Sequence, residues 1–169
     1  MQDGDVLLEA KVFQVVYREQ VTADGKRHPR QVVHHPGAVV LLPLLDDGRV
    51  VLIRNYRIAA GEALIELPAG TLDPGEEPLE AARRELAEET GYRARSLKLL
   101  TIFYSSPGIL DERVHLFLAT GLTPGPRDLQ GGEEIETLLV AWKGAVEMVR
   151  SGAIRDAKTL VGLLYYKNE

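Results

Sequence analysis

The rhythm of apolar and polar positions changes several times along the chain, and each change marks an element. Residues 7–18 mix the two around the β-formers Val12, Phe13, Val15, Val16 and Tyr17, which predicts a strand. Asp24-Gly25 lies in a turn cluster, and residues 30–35 supply a returning strand. Two continuous apolar runs follow, residues 38–45 and 50–56, on either side of Asp46-Asp47-Gly48. Their uninterrupted character predicts a second hairpin, buried on both faces.

A helical period begins after Pro74-Gly75. Pro78 suits a first turn, Leu79, Ala82 and Leu86 recur on one side, and Gly91 suits a C-terminal cap. Residues 96–104 and 114–120 read as strands, and 138–142 as a shorter one, with Trp142 assigned to the core. Residues 143–151 and 156–166 read as helices parted by Gly152. Strands on both sides of a central helix, with helices at the end, predict a mixed α/β (α+β) fold. A doubly wound parallel sheet does not match this order.

The length of 169 residues predicts one globular domain, large enough to bury roughly two-thirds of its unfolded surface. A net charge of -5 argues against a nucleic-acid partner, which would call for clustered excess lysine and arginine. A phosphorylated small molecule remains compatible, because a few local arginines and a metal can hold one. The absence of cysteine excludes disulfides and thiolate-bound zinc. Residues 1–5 lack the basic and apolar regions of a signal peptide, and the apolar run at 37–45 is too short to span a bilayer. The expectation is a cytoplasmic protein without a membrane partner.

The chemistry concentrates in the first helix. Glu85, Glu88 and Glu89 share one face, at spacings where like charges repel by roughly 0.2–0.5 kcal/mol per pair. A divalent cation reverses that sign, since magnesium seeks carboxylate oxygens. The histidines His28, His34, His35 and His115 show no metal-ligand spacing. Tyr17 and Tyr56 could stack a base, although strand tyrosines are more often packing residues.

The spacing around those carboxylates is specific. From Gly70, five residues lead to Glu76, and seven more lead to Arg84-Glu85-Leu86-Ala87-Glu88-Glu89-Thr90-Gly91-Tyr92. This stretch resembles the Nudix box at every specified position. The resemblance implies an α/β/α sandwich around a mixed sheet, and Mg²⁺-dependent hydrolysis (Mn²⁺ as a substitute) of a nucleoside diphosphate linked to another moiety. It further implies that Glu85, Glu88 and Glu89 bind metal, that the Ala69 carbonyl completes a metal site, and that Arg84 orients the acids. Glu76 is left open between a role with these acids and a structural one at the helix start.

Residues outside the box carry a narrower resemblance, to the ADP-ribose pyrophosphatase group. Pro107 stands fifteen residues after Tyr92, within Ser105-Ser106-Pro107-Gly108. Arg54-Asn55-Tyr56-Arg57 precedes Glu66-Leu67-Pro68-Ala69-Gly70, and residues 156–165 resemble the group's final helix. These matches imply substrate contacts at Arg54, Arg57, Pro107 and Gly108, while Asp73 suits either a substrate or ribose hydroxyl contact or the turn before Pro74-Gly75. They also imply a general base at Glu133 or Glu136, between which the resemblance does not choose. ADP-ribose or a related ADP-sugar is the implied substrate. Another nucleotide sugar, a dinucleoside polyphosphate, or a non-catalytic nucleotide-metabolite sensor are the alternatives. Residues 1–35 would form strands that pair two subunits in a homodimer, ahead of a hydrolase domain at 36–169.

Overall fold

A computed structural model describes residues 1–127 and 134–167. It opens on an antiparallel meander of β1 (Val6–Glu9), β2 (Gln14–Val21) and β3 (Arg27–His34), in the order β1-β2-β3. The turn expected at Asp24-Gly25 closes β2 on β3, with Gly25 at φ 78°. The strand expected over residues 7–18 is instead two strands, closed by an Ala10 N–H to Phe13 carbonyl bond of 2.9 Å. Ala10 and Lys11 are weak β-formers in the middle of that run, which is where the chain folds back. The meander docks through β3, whose Val33 donates to the Ile109 carbonyl and accepts from the Asp111 amide.

The second expected hairpin is corrected by the structure. β4 (Ala38–Pro43) belongs to a four-stranded sheet of order β7-β4-β9-β8, with β7 (Ala69–Thr71), β8 (Tyr92–Tyr104) and β9 (Arg113–Pro124). β5 (Arg49–Arg57) instead lies between β10 (Ile135–Ala141) and β6 (Glu62–Glu66). A lone bridge between Leu44 and Val50 links β4's end to β5. The turn at Asp46-Asp47-Gly48 forms as expected, but each strand is central in its own sheet and has no edge left for the other. β4 runs parallel to β9 from Ala38 opposite Val114 to Pro43 opposite Ala119, and antiparallel to β7, which makes its sheet mixed.

β4 explains the layering. Its six residues are all buried, and they feed two cores in alternation. Val39 and Leu41 pack with Ala81, Ala82 and Leu86 of α1 (Pro78–Thr90). Val40 and Leu42 pack with Leu67, Leu116, Ala145, Ile154 and Leu163, which brings in α2 (Trp142–Arg150) and α3 (Ala157–Lys167). Leu79, expected in the helical stripe, is more than a third exposed, and Ala81 takes the buried position. Trp142 begins α2 and meets Tyr166 edge-on, with ring centroids 5.3 Å apart. No helix among the described residues is long and apolar enough to cross a membrane.

Candidate active site

The glutamates of α1 sit where an isolated helix would least accept them. They occupy its last two turns, at the negative end of the helix dipole, and no basic residue lies in the last turn. Gly91 ends the helix in the left-handed region, φ 74°, its amide donating to the Ala87 carbonyl. Glu85 and Glu89 are nevertheless 7% and 4% exposed. Burying two carboxylates on one helix face requires cations or donors to compensate.

Arg84 supplies the nearest compensation. Its Nε and Nη2 donate to both oxygens of Glu76 at 2.9 Å each, and Nη1 donates to Glu85 at 2.6 Å and Glu88 at 3.2 Å. The Glu76 fork and the Glu85 carboxylate hold Arg84 above the ordinary arginine value despite partial burial. The same fork holds Glu76 below the usual carboxylate range. Glu76 also accepts the Asp73 amide at 3.0 Å, so it ties the loop before α1 to Arg84. Of the two roles open to it, this is the structural one at the helix start.

The segment before the loop is fitted against the same face. Ala69 donates its amide to Glu89 Oε2 at 2.9 Å. Gly70 lies so close to Glu85 that a β-carbon there would fall 1.9 Å from the carboxyl carbon. Glycine at this position is a matter of space, not of backbone angle, and it brings the Glu85 carboxylate against the strand.

Cations meet the acids across a cleft of about 660 Å³ lined by Ala69, Gly70, Asp73, Arg84, Glu85 and Glu89, and by Arg57 and Lys158. Arg57 donates from Nε and Nη2 to the two oxygens of Glu66 at 2.8 and 2.7 Å. Glu66 has no exposed surface, and its fork raises Arg57 above its ordinary value. Lys158 stands 3.7 Å from Glu66 and 2.6 Å from Asp156. Burial pushes the Asp156 carboxyl up, but Lys158 and the Thr159 donors outweigh it and leave the group below its usual value.

The structure thus brings together Ala69, Asp73, Arg84, Glu85, Glu89 and Arg57 from the residues singled out in the sequence. Glu88 joins through Arg84 without lining the cleft. Arg54 lies off the cleft, 3.7 Å from Glu136 on the neighbouring strand. Pro107 and Gly108 are exposed and do not line it, although Ser105 and Glu112 beside them do. Glu133 lies outside the described residues. Sequence reasoning passed over Glu66, Asp156 and Lys158 as individual groups. A lone acid inside the apolar stretch Leu64-Ile65-Glu66-Leu67 was the available signal, because such an acid must find a cation.

Among the described residues, no three acidic or histidine side chains converge as a closed metal cage. Two buried carboxylates beside a backbone strand, with open volume in front, instead suit a hard divalent cation such as magnesium or manganese. Magnesium keeps several waters and takes one or two carboxylates rather than a dedicated protein cage.

Comparison with known proteins gives the family and the fold. A family model described as the NUDIX domain matches residues 33–160. ADP-ribose pyrophosphatase of Bacillus subtilis (strain 168) is 38% identical over 161 residues, covering 94% of this chain and 87% of that protein. GDP-mannose pyrophosphatase of Cronobacter sakazakii (strain ATCC BAA-894) is 42% identical over 151 residues, with coverages of 82% and 78%. Methanol dehydrogenase activator of Bacillus methanolicus is 33% identical over 144 residues, covering 84% and 78%. A crystal structure of an ADP compounds hydrolase superposes with a TM-score of 0.82 at 21% identity, covering 99% of this chain and 94% of that one, which shows a shared fold.

Proposed function

Since the chain belongs to the Nudix family, we propose that it hydrolyses the diphosphate of ADP-ribose or a related ADP-sugar, giving AMP and a sugar 5-phosphate. The observation that carries this reading is the cleft itself, where buried Glu85 and Glu89 line the same space as Arg57 and Lys158. Carboxylates gather a divalent cation, and fixed cations take the phosphate oxygens that the metal leaves.

In this reading Glu85, Glu88 and Glu89 hold magnesium, or manganese in its place, together with the Ala69 carbonyl. Bound metal supplies charge neutralisation of the diphosphate and a water of lowered pKa. Arg84 orients Glu85 and Glu88 through its Nη1 hydrogen bonds. Arg57 binds a phosphoryl oxygen, its planar fork already locked by Glu66, so little rotamer freedom is lost on binding. Asp73, which lines the cleft, takes a sugar hydroxyl in this reading. Arg54, Pro107 and Gly108 are assigned to the outer substrate contacts. A glutamate at 133 or 136 takes the proton of the attacking water.

A second substrate class has its own support. The Cronobacter relative named GDP-mannose pyrophosphatase is at least as similar in identity as the Bacillus ADP-ribose pyrophosphatase. The chemistry is unchanged and only the base and sugar differ. A non-catalytic sensor has less support, because a binding module has no need of paired carboxylates buried at the negative end of a helix.

Residues 1–35 are proposed as a dimerising extension. β1 is exposed throughout, and Val6, Leu7, Leu8, Val12 and Phe13 leave apolar surface uncovered beside an unpaired edge. Light scattering at micromolar concentration should report a homodimer, and a monomer there would contradict it. Cytoplasmic placement, where nucleotide sugars and magnesium meet, belongs to the same proposal.

The deciding experiment is a hydrolysis panel with Mg²⁺ over ADP-ribose, GDP-mannose and dinucleoside polyphosphates in ¹⁸O-labelled water. AMP release from ADP-ribose is the expected result. Tight ADP-ribose binding without release of AMP would make the protein a sensor.

A further inference from the structure

Helix α3 begins with an arrangement that does more than cap a helix. Asp156 Oδ2 accepts the Thr159 amide at 2.9 Å and the Thr159 hydroxyl at 2.7 Å. The amide bond alone is the usual capping contact. The hydroxyl proton being committed to Asp156, its oxygen is free to accept, and it takes the Leu67 amide at 2.7 Å from 92 residues away. Thr159 has no exposed surface, so the link is dry. Gly162, one turn further along α3, approaches so closely that a β-carbon there would lie 2.5 Å from Leu67 Cδ1. α3 therefore holds both the main chain and the side chain of Leu67.

Leu67 begins a short run tied residue by residue to its surroundings. The Pro68 carbonyl accepts the Leu41 amide at 2.9 Å. The Ala69 amide holds Glu89, and Gly70 abuts Glu85. A shift of this run along the sheet would carry the Ala69 amide away from Glu89 and press Gly70 into Glu85. The anchor at Leu67 is what sets its position relative to α3.

We propose that Thr159 is a positioning residue for the metal-holding face of the cleft: its hydroxyl fixes residues 67–70, and through them the Glu85 and Glu89 carboxylates. This rests on the metal-dependent reading above and deepens it. Thr159→Val keeps the side-chain shape and strands the Leu67 amide without an acceptor. Loss of a partner one step behind metal ligands weakens metal affinity or activity about 10- to 100-fold.

The test is Mn²⁺ binding to substrate-free protein, followed by electron paramagnetic resonance, alongside steady-state hydrolysis. Thr159→Val should bind Mn²⁺ about tenfold more weakly and lose a similar factor in kcat, with KM for the nucleotide sugar within about twofold of wild type. Thr159→Ser, which restores the acceptor, should return both to within about threefold. A Thr159→Val protein with a lowered unfolding midpoint but unchanged Mn²⁺ affinity and kcat would overturn the proposal, leaving Thr159 a stability element only. Should Thr159→Val fail to fold, Asp156→Asn keeps the hydroxyl but loosens its orientation, and a weakening of about two- to fivefold is expected. Unchanged Mn²⁺ affinity in that variant overturns the proposal equally. A wild type that turns over no nucleotide sugar contradicts the proposed reaction instead, and the Mn²⁺ comparison still decides on Thr159.

Discussion

Gly70 and Glu85 share a space that holds one of two things, a carboxylate or a β-carbon. A Cβ on Gly70 would stand 1.9 Å from Glu85 Cδ and from Oε1. Gly70→Ala should therefore displace Glu85, lowering turnover about 100-fold, as misplacement of a reacting group by about 1 Å commonly does. Gly75→Ala is the informative control. Nothing lies within 4 Å of its β-carbon, but its φ is +77°. It should lose about 1 kcal/mol of stability with kcat unchanged. Wild-type kcat in Gly70→Ala would show that Glu85 does not need its present position.

Arg84 serves three glutamates from one guanidinium, and a lysine cannot. Arg84→Lys keeps the charge but offers one nitrogen where Nε, Nη1 and Nη2 now reach Glu76, Glu85 and Glu88. Turnover should fall about 10- to 100-fold, with a higher Mg²⁺ requirement. A Mg²⁺ titration of initial rates checks this, and an unchanged half-saturation point would remove Arg84 from the orienting role.

The site was legible in the sequence where its geometry is local. Residues three and four apart on one helix must share a face, so Glu85, Glu88 and Glu89 could be placed before any coordinates, as could the Gly91 cap. Apart from the fold-back at Ala10-Lys11 and the exposed Leu79, the failures are long-range. The runs at β4 and β5 read as a hairpin because a buried apolar strand carries no mark of which neighbour it pairs with, and β4's parallel partner is β9. Glu66 and Thr159 escaped notice for the same reason. Each matters through a partner supplied by tertiary packing, Arg57 for one and Leu67 for the other.

Arg57 and Glu66 form a pair whose halves should not be separable. Arg57→Ala leaves a fully buried carboxylate with Lys158 3.7 Å away as its remaining cation. Arg57 is itself 38% exposed, so about 2 kcal/mol of stability should be lost, below the range for a fully buried pair. Glu66→Gln combined with Arg57→Ala should recover part of that loss, a coupling visible in a double-mutant cycle by urea unfolding. Additive losses would mean that Arg57 does not answer the Glu66 charge.

Asp156 makes a pH-dependent contribution whose sign follows from its partners. Its folded value lies below the unfolded value of about 3.9, so the ionised form is favoured by folding. That stability is fully present above the unfolded value and is lost as pH falls through the folded one. Glu76 contributes in the same direction through Arg84. Asp156→Asn should therefore be less stable than wild type by a constant margin from pH 8 to about 5, and the margin should shrink below about pH 4. Urea midpoints at four pH values measure it. A margin that grows on acidification would reverse the assignment.

The two loop acids can be separated by what already engages one of them. Glu136 lies on β10 directly opposite Arg54 of β5, in register and 3.7 Å from its guanidinium. That contact holds the Glu136 carboxylate on Arg54, and neither Glu136 nor Arg54 lines the cleft. A general base must come within hydrogen-bond reach of the attacking water. Glu133 lies outside the described residues and comes before the strand in sequence. Glu133→Gln should consequently lose about 100-fold or more in kcat, and Glu136→Gln less than about fivefold. The pH profile of kcat adds a second reading, since removal of the true base should abolish its acidic limb. If Glu136→Gln carries the larger loss, Glu136 is the base and its carboxylate must part from Arg54 during turnover.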